Sequence, residues 1–130
     1  YWDLGRAHHV IAAQFLAEAT TGRAPFDQLV QVGSDTAMRG YTRGRYRERD
    51  GVNAQVEYRS PYWHRLGVTA FAGGGMVMRR LTDVADATFL PTTGVGVRAL
   101  LVPAQRATIR VDFGMGKGSN GLYVALNEAF

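Results

Sequence analysis

Val52-Asn53-Ala54-Gln55-Val56-Glu57-Tyr58-Arg59 is the stretch that decides the fold. Its side chains alternate strictly. Val52, Ala54, Val56 and Tyr58 fall on one face of an extended chain, and Asn53, Gln55, Glu57 and Arg59 on the other. A period of two marks a β-strand with two unlike faces. The pattern recurs at 66–73, where Leu66, Val68, Ala70 and Ala72 oppose Gly67, Thr69, Phe71 and Gly73. It returns at 95–101, at 107–114, and in Leu122, Val124 and Leu126 near the C-terminus. In these five segments charge occurs only on the second face, as Glu57, Arg59, Arg98, Arg110 and Asp112. A sixth segment, 6–20, sets Ile11, Ala13 and Phe15 against Gln14 and Glu18, although its AAQFLAEA core also suits a helix. The prediction is an all-β, antiparallel chain of six strands.

The links between strands are unequal. Residues 60–64 and 102–105 read as short, proline-containing turns. The other links fall near 74–92, 116–121 and 21–51. In an up-and-down meander alternate links share an end, so both short turns lie on one rim and the other three links on the opposite rim. Tyr1, Trp2, Tyr58, Tyr62, Trp63 and Phe130 gather at the short-turn rim. Short turns at one end, long loops at the other and an aromatic belt are the pattern of an outer-membrane β-barrel. Strands of about ten residues also match the reach needed to cross a bilayer at a tilt. A soluble sandwich uses the same alternation with its apolar face buried, so periodicity alone leaves the outside face open.

The composition narrows the chemistry. The chain has 130 residues, the size of one domain, and 46% hydrophobic content, which is ordinary for a folded protein. It has no cysteine, which excludes disulfides, thiolate metal sites and thiol catalysis. No apolar run is long enough for a transmembrane helix. The chain opens at Tyr1 with no signal peptide and reads as a piece of something longer. The basic side is fourteen arginines and one lysine, a bias towards forked, fixed contacts. His8, His9 and His64 have no acid or serine at a metal or triad spacing. The segment GMGKGSNG fails the phosphate-loop pattern, and Asp112-Phe113-Gly114 lacks the rest of a kinase signature. No catalytic residue, metal site or cofactor is expected.

The residues carry a resemblance. Met38-Arg39-Gly40-Tyr41, inside the long 21–51 link, is similar to the "[VL]-R-G-[FY]" motif in the sixth extracellular loop of the BamA/TamA-type outer-membrane barrels, the bacterial surface antigen superfamily. The ending, residues 120–130 with Gly121, Leu122, Val124, Leu126 and Phe130, resembles the outer-membrane β-signal. Five strands follow the motif loop, as that family requires. The resemblance implies an up-and-down transmembrane β-barrel of which residues 1–130 are about the last six of sixteen strands. Six strands cannot close a water-filled barrel, so the remaining strands belong to the same or another chain.

The resemblance also implies roles. The motif arginine, Arg39, folds back into the barrel and pairs with an acid on the inner wall, where Glu57 matches the family's inward glutamate. A second family acid on the next strand is absent, since Phe71-Ala72-Gly73-Gly74-Gly75 carries glycine there. Asp112, inward by parity, is the substitute. Gly40 lets the backbone approach the wall, and Tyr41 packs beside it. Arg59, Arg98 and Arg110 line the lumen. The bland alternatives are a solvated loop arginine, charges on a soluble sheet and an ordinary last strand.

The function implied is assembly, insertion or translocation of polypeptides at the bacterial outer membrane. Its partners are membrane lipid, other barrel-assembly components, client polypeptides and the missing strands. The alternatives are a passive surface-antigen or anchor barrel, and a soluble basic β-domain using MRGYTRGRYRER (38–49) on nucleic acid. Glu48 and Asp50 in and beside that run, with no RNA-binding sheet signature, argue against nucleic acid as a partner.

Overall fold

A computed structural model of the chain describes residues 2–3, 8–19, 30–32, 36, 38–41, 46–48, 50–78, 87–102 and 107–127. It is all-β. Strands β1 (Trp2–Asp3), β2 (Val10–Ala19), β5 (Asp50–Arg59), β6 (Leu66–Met78), β7 (Thr88–Val102), β8 (Ala107–Gly116) and β9 (Ser119–Leu126) form one sheet, each paired antiparallel with the next. The two remaining strands, β3 (Val30–Val32) and β4 (Tyr46–Glu48), pair with each other in the long link between β2 and β5. The six longer strands run up and down without crossovers, and β1 and β9 do not meet, so the sheet is open.

The ambiguous first segment is a strand. Val10–Ala19 pairs residue for residue with Asp50–Arg59, from Val10 opposite Arg59 to Ala19 opposite Asp50. Ten continuous ladder pairs override the helical preference of AAQFLAEA, because local propensity is small beside cross-strand pairing. Residues 4–7 and 20, which belong to the same predicted segment, lie outside the described residues.

Two predicted links are shorter than expected. The 74–92 link contracts because β6 continues through Gly73, Gly74 and Gly75 to Met78, and β7 already starts at Thr88. Gly74 and Gly75 fall in the predicted link, yet they are strand residues, and neighbours occupy the space of their missing side chains. A Cβ on Gly74 would meet the Phe89 ring at 2.8 Å, and one on Gly75 would meet Met38 Cε at 3.1 Å. Pro91 is tolerated in β7 because pairing with β8 begins only at Thr92, which leaves that side of the strand an edge. The 116–121 link is a two-residue hairpin, Lys117-Gly118, with Gly118 at φ 64°. Gly121 is therefore a strand residue. The long 21–51 link gives way to β5 at Asp50 and carries the β3–β4 pair.

The two faces of the sheet have opposite polarity, and the apolar one is outside. Phe15, Val56, Val68, Val95, Val97, Phe113, Leu122 and Val124 are all exposed. Gln55, Glu57, Arg59, Thr69, Arg98, Thr108, Arg110 and Asp112 are buried on the other face. The apolar core cluster on the buried side is Met38, Tyr41, Val77 and Leu90, built from the loop tip and the inner ends of β6 and β7. At the short-turn rim Trp2 and Trp63 are largely exposed, beside Tyr58 and Tyr62. Tyr1 and Phe130, predicted to join this rim, lie outside the described residues.

Candidate functional site: a clamped loop tip on the polar face

Register fixes the floor of the site. One row of inward positions runs across the sheet as Glu57, Phe71, Gly94, Gly114 and Gly121. The next runs as Arg59, Thr69, Gly96, Asp112 and Tyr123. Large side chains lie over the glycines. The Phe71 ring occupies the space of a Gly94 side chain, and the Asp112 carboxylate that of Gly96. Gly114 and Gly116 leave a shallow trough for the loop tip. A Cβ on Gly114 would stand 2.7 Å from both the Arg39 carbonyl carbon and the Gly40 nitrogen. One on Gly116 would stand 2.5 Å from the Tyr41 ring.

Residues 38–41 fill that trough and are all buried. The tip turns tightly, with Met38 at φ 56° and Gly40 at φ 110°. A side chain at Gly40 would meet the Met115 backbone at 2.6 Å, so both conformation and clearance require glycine there.

Arg39 is 1% exposed and is held from three directions. Its Nη2 donates to Glu57 Oε2, and its Nη1 donates to Asp112 Oδ2 at 2.7 Å. Its Cζ lies 3.6 Å from the Phe71 ring centroid, a cation–π contact. Each acid has a second arginine: Arg59 Nε donates to Glu57 Oε1 at 2.7 Å, and Arg110 Nη1 to Asp112 Oδ2 at 2.6 Å. The network thus holds three guanidinium groups and two carboxylates, in a buried setting where charge-assisted bonds are strong and an unmatched charge is costly. Arg98 lies further along the inner face, its Nη2 donating to Ser60 O at 2.8 Å and its Cζ 5.0 Å from the Tyr62 ring centroid.

The tip backbone is also bound. Thr92 Oγ1 donates to the Arg39 carbonyl. The Tyr41 hydroxyl donates to Pro91 O at 2.7 Å and accepts from Lys117 N at 2.8 Å. The Tyr123 hydroxyl accepts from Gly40 N at 2.8 Å and donates to Tyr41 O at 3.2 Å.

The structure therefore brings together Arg39, Gly40, Tyr41, Glu57, Asp112, Arg59 and Arg110. It leaves Leu122, Val124 and Leu126 apart from them, on the exposed face of β9. Phe130 lies outside the described residues. Phe71, Thr92, Pro91 and Tyr123 carry parts of the clamp that sequence reasoning missed. The one available signal was Gly114, Gly116 and Gly121 recurring on the inward face, a mark of close backbone approach. Among the described residues no group of three or more His, Asp or Glu side chains could hold a metal ion. Arg39, the first arginine of the basic run, is committed to carboxylates and out of reach of a phosphate. Comparison with protein-family models, with curated proteins and with solved structures found no match.

Proposed function

We propose that the chain is the C-terminal part of an outer-membrane β-barrel of the BamA/TamA type, taking part in the insertion or translocation of polypeptides at the bacterial outer membrane. One observation carries the membrane reading: the sheet exposes its apolar face and buries its charged one. In water that arrangement leaves a contiguous apolar sheet exposed to solvent at a cost, whereas in a bilayer it is the ground state. Strand length agrees. Ten residues, as in β5 and β8, rise ~33 Å. Tilted by about 45°, they cover roughly the 25 Å apolar band of such a barrel.

The clamp supports the more specific type. An arginine from a long loop lies on the inner wall between Glu57 and Asp112, the family-like motif in a family-like posture. The open edge at β9 supplies the other half of the mechanism. An unpaired edge offers backbone groups to another strand, so closing strands or an incoming client segment can pair there. The work is strand exchange, with no covalent step.

The test has two arms. A monodisperse, cooperatively folded monomer of the chain in detergent-free buffer would sink the membrane reading. The full gene product in phospholipid vesicles should speed the folding of an unfolded outer-membrane β-barrel client over empty vesicles. Equal rates would leave a passive anchor barrel.

A further inference from the structure

Arg39, Glu57 and Asp112 fix the tip to β5 and β8, but Tyr123 belongs to β9, the edge strand. We propose that Tyr123, with clearance supplied by Gly121, is a positioning residue that latches the loop tip to the last strand, so that tip release and β9 detachment are one coupled event. The functional meaning of the latch rests on β9 being the barrel seam. The coupling itself rests only on the bonds.

Tyr123 points inward, directly across from Asp112, the acid that holds Arg39. Its hydroxyl bridges the two peptide groups that follow Arg39, accepting from Gly40 N and donating to Tyr41 O. Gly121 lies across from Gly114, the floor of the trough. The Tyr123 ring folds back over Gly121, where a Cβ would stand 2.7 Å from the hydroxyl and 2.9 Å from Cζ. A larger residue at 121 would lift the hydroxyl off the tip. The other described anchors of the tip come from β5, β6, β7 and β8 and from Lys117 in the β8–β9 turn.

Among the described strands, β9 pairs only with β8. The Tyr123 bonds exist only when β9 is in register and the tip is docked. Linkage then requires reciprocity: the docked tip strengthens the hold on β9 by the same factor as paired β9 strengthens the hold on the tip. Two net hydrogen bonds correspond to roughly tenfold in that equilibrium.

Hydrogen–deuterium exchange on the full chain, folded in its bilayer or detergent, tests the latch. Tyr123→Phe keeps the ring and removes the bridge. It should speed exchange roughly tenfold in both 38–41 and β9. Arg39→Ala, which frees the tip from the far side, should speed β9 exchange in the parent and add nothing to it in Tyr123→Phe. Gly121→Ala should reproduce Tyr123→Phe with the hydroxyl intact. The latch is overturned if Arg39→Ala leaves β9 unchanged, or if the two substitutions act on β9 independently. A barrel that inserts clients without this coupling would keep the proposed function and lose the latch. A chain that folds in water could still complete the cycle and lose only the seam.

Discussion

Arg39→Ala removes the centre of the buried network. The loss comprises two charge-assisted bonds, to Glu57 and Asp112, and the contact on Phe71. Breaking a buried ion pair from one side generally costs about 3–5 kcal/mol, mostly because the partner is left uncompensated. Here neither acid is abandoned, since Arg59 still holds Glu57 and Arg110 still holds Asp112. The lower end applies, so the loss should be about 3 kcal/mol, or roughly a hundredfold in the equilibrium constant. Urea unfolding of the full gene product in vesicles, followed by tryptophan fluorescence, measures it. The control is Arg65→Ala, since Arg65 is exposed at the short-turn rim and should shift stability by no more than about 0.5 kcal/mol. Arg39→Lys keeps the charge but loses the planar fork, and should recover only part of the loss. If Arg39→Ala and Arg65→Ala give equal, small shifts, the tip is not held by its arginine.

Gly114→Ala places a Cβ 2.7 Å from Arg39 backbone that cannot swing aside, so it should expel the tip and cost about 3 kcal/mol, as overpacking does. Gly74→Ala meets only the movable Phe89 ring on the outer face and should fall within about 0.5 kcal/mol in the same unfolding assay. Tyr41→Phe leaves Pro91 O and Lys117 N without their hydroxyl partner and should cost about 1–2 kcal/mol by the same measurement. Val95→Arg tests the surroundings of the outer face, because Val95 is the middle residue of β7 and is 60% exposed. In a bilayer it should cost about 2–4 kcal/mol of folding free energy in vesicles; a shift within about 0.5 kcal/mol would mean that face is wet.

The alternating residues of 52–59 and 107–114 made their strands legible, because a two-residue period needs no knowledge of neighbours. They also sort every side chain to a face, which groups Glu57, Asp112, Arg59 and Arg110 on one surface. Strand ends were legible only where turn chemistry was strong, as at Ser60-Pro61. They failed at Gly74-Gly75 and at Pro91. There, residues that locally favour loops are held in strands, Gly74 and Gly75 by ladder pairing with β5 and β7, and Pro91 by pairing with β6 where β8 has not yet begun, all set by partners distant in sequence.

The clamp divides in the same way. Alternation and motif spacing are enough for an all-β chain with a charged face, an apolar face and an arginine-bearing motif in a long loop. Strand pairing and loop docking add that the apolar face is exposed, that Arg39 reaches both Glu57 and Asp112, and that Tyr123 on the last strand grips the tip. The reason is physical. Periodicity is a property of one strand, whereas Arg39 and Asp112 are 73 residues apart and meet only because strand register aligns a trough of glycines beneath the loop.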